Sequence, residues 1–186
     1  MDKRNERSRK AIYSAYMQFL RENPRGRIKV DSLCAAAGVS KSTFYNNYKN
    51  MAEMKEDAER RLVRTVVNSV PKQSYTFSHP ELFTTEVTLA FSRHRGDIGV
   101  LFGADGLVRM LYLMEKAVKD EIFGLYPQYR NNRKLNIILT YCIMGAANAN
   151  ILNLQAPFDE LVETIGEITE KLQPVMEKAV NEQTGR

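Results

Sequence analysis

The sequence predicts an all-α protein, and three observations support that prediction. Apolar residues recur mostly at spacings of three and four, the period of an amphipathic helix, and no convincing strand pattern occurs. Of the 186 residues, 44% are hydrophobic and 26% are charged, which excludes collagen-like, low-complexity and wholly disordered classes. Clusters that contain proline or glycine separate the periodic segments, as they do between helices.

The first 50 residues predict three helices. The first ends at a turn cluster, residues 23–26, and the second covers Val30–Ala37 and is closed by Gly38. The third begins at Ser40 and ends near Tyr48. The inward face of the first helix is predicted from five residues at helical spacing, namely Ile12, Ala15, Tyr16, Phe19 and Leu20.

Helices continue through the middle of the chain. One is predicted over about residues 51–67. After a loop, Pro80 suits the first turn of the next helix, because its missing N–H has no helical partner to lose there. That helix is expected to reach Arg93 and to stop near Gly96. Candidate N-caps of the two helices that follow are Asp97 and Asp105.

Two long helices are predicted over about residues 133–154 and 158–172, and Pro174 either interrupts the second or restarts it as a short terminal helix.

Residues 135–152 have no formal charge and are long enough to cross a membrane. Polar groups in hydrocarbon are costly, so a buried bundle or interface helix is the favoured interpretation. The polar residues are Asn136, Thr140, Asn148 and Asn150.

The positive charge lies at one end of the chain. Residues 1–64 hold 15 Lys and Arg against 8 Asp and Glu, whereas the other residues hold 12 against 14. A one-ended basic surface suits a polyanion such as DNA, because each neutralised phosphate releases condensed counterions. Charge alone leaves open the alternative of a basic face that contacts only solvent.

Few residues are suited to disulfides, metals or catalysis. Cys34 and Cys142 cannot form a disulfide framework, and two histidines cannot assemble a His-rich metal site. The basic start has no apolar core after it, so we expect no signal peptide and place the chain in the reducing cytoplasm. No glycine-rich phosphate loop or nucleophile elbow occurs, so we expect no enzyme, cofactor or metal.

Residues 30–49 show the pattern of a helix-turn-helix. Two short helices are joined by a turn that contains Gly38, since glycine adopts the positive φ that other residues resist. Ser40 can cap the second helix, and Val39 and Phe44 are placed for a hydrophobic staple. The alternative is a helical hairpin with no DNA partner.

The second of these helices has a predicted outward face. With Phe44 and Tyr48 inward, Ser42 and Asn46 fall nearly opposite, where they would meet base edges in a groove. Flanking hydroxyl and lysine side chains suit phosphate oxygens. The predicted DNA-binding residues are Lys41, Ser42, Thr43, Tyr45, Asn46 and Lys49.

The stretch GVSKSTFYNNYKN, preceded by IKVDSLCAAA, resembles the DNA-binding half of tetracycline-repressor (TetR) family regulators over roughly residues 8–55. The resemblance implies a DNA module of three N-terminal helices, with Thr43, Tyr45 and Lys49 as phosphate contacts. It also implies a larger helical domain that dimerises and usually binds a small molecule. The matching signature positions are Ala37, Gly38, Val39, Ser40, Thr43, Phe44, Tyr45, Tyr48 and Lys49.

The sequence departs from the family pattern at three positions. Lys29 stands where a hydroxyl commonly caps the second helix, which leaves that cap to water or to Asp31. Asn47 replaces a common histidine and puts a phosphate contact there in doubt. Cys34 occupies a usual alanine position, where we interpret it as a small buried hydrophobe.

Two apolar stripes near the C-terminus predict a four-helix dimer interface, in which two helices from each of two chains pack together. The alternative is that both stripes only fill the chain's own core. The predicted interface residues are Leu135, Ile138, Leu139, Cys142, Ala146, Ala149, Leu161, Ile165, Ile168 and Leu172.

A second stripe on the helix over 133–154 comprises Ile137, Tyr141, Met144 and Asn148, and it is expected to face the domain interior. Polar tips among flexible apolar side chains could line a ligand cavity, although such stripes are also typical of plain core. The candidate ligand-binding residues are Phe102, Met110, Met114, Tyr141, Met144 and Asn148.

Together these patterns predict a helix-turn-helix DNA-binding domain over residues 1–50 and a larger helical-bundle domain for ligand binding and dimerisation over 51–186. The expected function is a homodimeric repressor that a small-molecule effector releases from a palindromic operator. The alternative is a DNA-bound interaction protein with a filled core that responds to a protein partner.

Overall fold

The computed structural model describes residues 3–24, 26–72, 75–103, 105–153 and 155–184, and within these ranges it contains helices and no strand. The all-α prediction is therefore confirmed. The helices are α1 (Lys3–Glu22), α2 (Val30–Ala37), α3 (Lys41–Asn47), α4 (Met51–Asn68), α5 (Pro80–Phe102), α6 (Leu107–Leu125), α7 (Arg133–Leu152), α8 (Phe158–Lys171) and α9 (Gln173–Thr184), with a 3-10 turn at Pro127–Tyr129.

Local signals fix α2 and α3 where the sequence predicts them. Gly38 has a φ of 63°, and its N–H donates to the carbonyl of Ala35, so α2 ends in a left-handed turn. Ser40 caps α3, because its hydroxyl oxygen accepts the backbone N–H of Thr43 at 3.0 Å. At the start of α2, Lys29 makes no side-chain cap.

The predicted helix end near Gly96 is wrong, because α5 continues without interruption to Phe102. A glycine inside a helix costs only about 1 kcal/mol, which packing elsewhere offsets. The chain turns instead at Gly103, whose φ is 57°. Asp97 is therefore not an N-cap; it lies inside α5 and accepts a 2.7 Å hydrogen bond from Arg21 of α1.

The last three helices follow the predicted layout. Helix α7 ends at Leu152, and Leu154, where the predicted helix ended, lies outside the described residues. Pro174 is the second residue of α9, so the chain restarts a helix there. Asn132 caps α7 and also donates from its amide to the Ala179 carbonyl at 2.7 Å, which ties the start of α7 to α9.

The chain forms two compact units. The N-terminal unit contains Met1–Leu62 and Gly96–Leu107, and the C-terminal unit contains Val63–Arg95 and Val108–Arg186. The functional division between residues 50 and 51 stays a prediction. Each unit has its own core of fully buried side chains, with Ile12, Met17, Leu33, Phe44 and Met54 in the first and Val66, Met110, Val118 and Leu135 in the second.

Gly38→Ala is expected to lower the free energy of unfolding by about 1–2 kcal/mol, because a β-carbon strains the left-handed conformation. No neighbour lies within 4 Å of a β-carbon there, so the cost is purely conformational. Gly99→Ala is the matched control, since Gly99 is also open but lies inside α5. Gly99→Ala should raise the free energy of unfolding, measured by urea denaturation, by about 0.5–1 kcal/mol. Equal effects of the two substitutions would contradict the left-handed conformation assigned to Gly38.

Candidate nucleic-acid interface

Helix α3 presents one buried and one exposed face. Phe44 and Tyr48 are buried, as predicted, with 0% and 2% of their surface exposed. Thr43 is half-buried. The other predicted DNA-binding residues are exposed, and they are Lys41, Ser42, Tyr45, Asn46 and Lys49. The structure therefore brings all six onto one short helix and the residues that flank it.

Hydrogen bonds within α3 hold two of its polar side chains. The hydroxyls of Ser40 and Thr43 lie 2.9 Å apart, so the capping group also orients Thr43. The amide of Asn47 donates to the Thr43 carbonyl at 2.8 Å, and its oxygen is buried without a hydrogen-bond partner among the described residues. The Asn47 side chain is thus bonded to its own helix, so its amide is not free to contact a phosphate in this conformation.

An acidic side chain that the sequence reasoning did not assign to the site lies beside α3. Asp31 of α2 pairs with Lys41 at 2.8 Å, and both side chains are exposed. The hydrogen bond from Lys41 to this carboxylate raises the pKa of the lysine. Asp31 also lies in the first turn of α2, where a negative charge favours the helix dipole. The sequence spacing of Asp31 and Lys41 did not predict their ion pair, because the contact depends on how α2 and α3 pack.

A polar cluster lies at the end of α3, where Tyr48, Arg9 and Asp57 meet. The Tyr48 hydroxyl donates to one Asp57 oxygen at 2.8 Å and accepts from Arg9 Nε at 3.4 Å. A second Arg9 nitrogen pairs with the other Asp57 oxygen. Burial raises the pKa of Tyr48 to about 12, and the nearby Asp57 carboxylate acts in the same direction. No sequence pattern indicated this cluster, because Arg9 lies far along the chain from Tyr48 and Asp57.

The chain after α3 is held by a second cap. Asn50 accepts the backbone N–H of Glu53 at 2.9 Å, while the Glu53 carboxylate accepts the N–H of Lys49 at 2.7 Å. These reciprocal bonds resemble a capping box. They fix the backbone of Lys49, which is the last of the predicted DNA-binding residues.

The six candidate ligand-binding residues differ in burial. Met110 and Met114 are buried in the C-terminal unit, and Phe102 is buried in the N-terminal unit. Tyr141 is 65% exposed. The half-buried Asn148 donates to the Met144 carbonyl of its own helix at 2.8 Å. Met114 and Tyr141 line separate depressions, and a cavity built from all six residues stays a prediction.

The structure places several residues of α7 on the face opposite to the one predicted. Leu135, Leu139 and Cys142, assigned to the dimer interface, are buried inside their own chain. Ile137 and Tyr141, assigned to the interior, are 64% and 65% exposed. The physical reason is that apolar residues lie on every side of α7 among a few polar ones, so its sequence pattern does not distinguish a core face from an outer face.

A groove of about 170 Å³ runs along α7 and α8. Ile138 and Leu161 are half-buried and do not line it. The lining is mostly apolar and contains six of the predicted interface residues, which are Cys142, Ala146, Ala149, Ile165, Ile168 and Leu172, together with Tyr141, Gly145 and Thr169. Tyr141 is thus a groove residue rather than an interior one.

Among the residues that the structure describes, α7 is the one helix that is long and apolar enough to cross a membrane, judged by length and composition alone. Its mean hydropathy is 1.5, and 33% of the segment is buried. The prediction of a fully buried helix is therefore wrong, and the interface alternative stays a prediction.

Comparison with known proteins adds no relatives: the chain matches no family model, no curated protein and no solved structure. Within the described ranges, no three His, Cys, Asp or Glu side chains are grouped so that they could hold a metal ion. Functional inference therefore depends on the geometry of the chain itself and on the resemblance of residues 8–55.

The raised pKa of Tyr48 predicts a loss of stability at high pH. The unfolded chain ionises this tyrosine near its ordinary value of 10.0, while the folded chain keeps the proton to about 12. The contribution of the protonated Tyr48 hydroxyl to the free energy of unfolding is therefore complete below about pH 10, and it is lost as the pH rises to about 12. Urea unfolding of wild type and Tyr48→Phe should show a stability difference that shrinks over this range. A difference that stays constant would contradict the assigned burial.

Proposed function

We propose that the chain is a sequence-specific DNA-binding transcription regulator of the TetR type. One observation supports this most strongly. A capped seven-residue helix buries Phe44 and exposes Ser42 and Asn46 on its other face, and the two residues that follow it are the buried Tyr48 and the exposed Lys49, all in the basic third of the chain. We place this regulator in the cytoplasm and assign it no catalytic role, cofactor or metal.

Helix α3 would enter the major groove as the second helix of a helix-turn-helix. Asn46 suits adenine, because its amide can donate and accept at the base edge, and Ser42 suits several edges. Tyr45, Thr43 and Lys49 would meet phosphate oxygens. Lys41 can also do so, although its pairing with Asp31 means that a carboxylate lies close to the same phosphates.

A homodimer would place two α3 helices on a palindromic operator. The groove along α7 and α8 supports this part of the proposal, since it is flanked by the exposed apolar side chains of Ile168 and Tyr141. Gly145, Ala146 and Ala149 supply small residues at the groove that allow a second helix to approach closely. We propose a second copy of the chain as its occupant.

Control by a small-molecule effector is what the resemblance implies, and it requires a cavity. Met114 lines an apolar cavity of only about 10 Å³, whereas ligand pockets are commonly about 300–1,000 Å³. This packing favours the second candidate, in which a protein partner controls the DNA-bound dimer. A melting screen separates the two, because a specific small molecule raises the Tm only of a protein that binds it.

Selection from randomised duplexes at about 0.15 M salt tests the proposed function. Wild type is expected to enrich a palindromic site. Asn46→Ala should lose discrimination at one base pair in each half-site, by about 1–3 kcal/mol. Tyr45→Ala combined with Lys49→Ala should weaken binding to all duplexes and reduce the salt slope by about one, since one charged phosphate contact is lost.

Lys116→Ala is the matched control for that double substitution, because it removes one exposed lysine from α6 in the C-terminal unit. It should leave affinity and salt slope unchanged. If the Tyr45 and Lys49 substitutions also left both unchanged, the assigned binding face would be wrong. No enrichment by wild type, with only weak salt-sensitive binding, would reduce the proposal to a non-specific polyanion surface.

Ile168→Glu is expected to convert the dimer to a monomer, because it puts a charge on a side chain that is 55% exposed at the groove. Ile165 is less suitable, since it is buried within the chain and a charge there would disrupt the core. Val108→Glu on α6 is the control, as Val108 is 80% exposed and does not line the groove. Analytical ultracentrifugation measures the mass of each variant in solution. An unchanged dimer mass for Ile168→Glu would contradict the assigned interface.

A further inference from the structure

We propose that Tyr48 and Asp57 are positioning residues for DNA recognition, which set the orientation of α3 without contacting DNA. This inference rests on the proposed function. Helix α3 has only seven residues, too few for a helix to persist without tertiary contacts. Its orientation is therefore set by its tertiary contacts, which are the burial of Phe44 and the groups that hold its two ends.

The two ends of α3 are held differently. The Ser40 cap holds the start through a local bond to Thr43. At the other end the backbone becomes extended at Tyr48, with φ of −143° and ψ of 133°, and the Tyr48 N–H closes the last turn on Phe44. The Tyr48 side chain is the group at this end that reaches into other helices.

Asp57 connects three parts of the N-terminal unit through one carboxylate. One oxygen accepts from the Tyr48 hydroxyl at 2.8 Å, and the other pairs with Arg9 of α1. Asp57 itself belongs to α4. The end of α3 and the helix α1 are thus tied to the same side chain of α4, so a displacement of α4 is passed to α3.

Burial alone does not require this hydroxyl. A phenylalanine would fill nearly the same volume, and the Tyr48 ring already packs on Phe44 at 5.6 Å between centroids. A buried hydroxyl must find directed partners, whereas an apolar ring tolerates several orientations. The hydrogen bonds of Tyr48 therefore select one orientation of α3, a role that buried polar networks serve in some proteins.

The two kinds of DNA contact depend differently on that orientation. Base-edge bonds from Asn46 need correct distance and angle, whereas a flexible lysine such as Lys49 can follow a displaced phosphate. Loss of the Asp57–Tyr48 bond should therefore reduce selectivity more than it reduces general affinity for DNA. This distinguishes a positioning role from a purely structural one, which would reduce both together.

The test compares Tyr48→Phe, Asp57→Asn and the double variant with wild type. Affinities for the selected duplex and for a scrambled duplex are measured at one salt concentration, and circular dichroism verifies the folded fraction. We expect the ratio of the two affinities to fall at least about tenfold in each single variant, at unchanged salt slope. The double variant should fall no further than the more affected single one, because both changes break the same bond.

Tyr13→Phe is the matched control. Tyr13 lies on α1 of the same unit, its ring packs on the Arg61 guanidinium at 5.6 Å, and its hydroxyl has no hydrogen bond to a described residue. Its removal should leave the selectivity ratio unchanged. If Asp57→Asn does not fold, Tyr48→Phe decides the test alone.

Three results would overturn the inference. If Tyr48→Phe keeps the full selectivity ratio, the hydroxyl does not position α3, while the proposed function stands. If its affinities for both duplexes fall by one factor that follows the unfolded fraction, the role of Tyr48 is structural only. If wild type selects no duplex, the proposed function fails and the inference fails with it.

Discussion

The burial of Phe44 and Tyr48 is the constraint on which the proposed interface depends. A helix as short as α3 has little stability of its own, so its existence and its direction both follow from those two aromatic side chains. Once they are inside, the helical repeat leaves Ser42 and Asn46 outside. The Ser40 cap and the turn at Gly38 then determine where the helix begins. The chemistry available to DNA is thus a consequence of packing on the opposite face.

Local chemistry explains why some elements could be predicted from sequence and others could not. Gly38 and Ser40 act within a few residues, so the bounds of α2 and the start of α3 followed from their types. Gly96 was misleading because a helix tolerates a glycine when the flanking turns are packed, as those of α5 are. The Asp31–Lys41 pair and the Asp57 cluster escaped prediction because they join different helices. Only the packed structure brings those residues together.

Helix α7 shows the limit of pattern reading most directly. Apolar residues on both of its faces satisfy the same spacing rule, so the prediction put Leu135 and Leu139 outside and Ile137 and Tyr141 inside, the opposite of what the structure has. Its asparagines add little polarity, since Asn148 and Asn150 each donate to a carbonyl one turn earlier in the same helix. Such a helix presents apolar surface to whatever lies outside it. Small residues at the α7–α8 groove leave room for a second helix to approach closely, as the proposed dimer requires.

The N-terminal unit combines apolar packing with a partly buried polar cluster around Asp57, and the two contribute different properties. Packing of Phe44, Leu33 and Ile12 supplies stability that depends little on exact geometry. The cluster around Asp57 contributes less net free energy, because desolvation of Arg9 and Asp57 offsets much of their attraction. It is directional, however, and both oxygens of one carboxylate are used by different elements. If α3 reads DNA as proposed, it needs a fixed angle more than it needs additional stability, and a directional cluster at its end is suited to supply that angle.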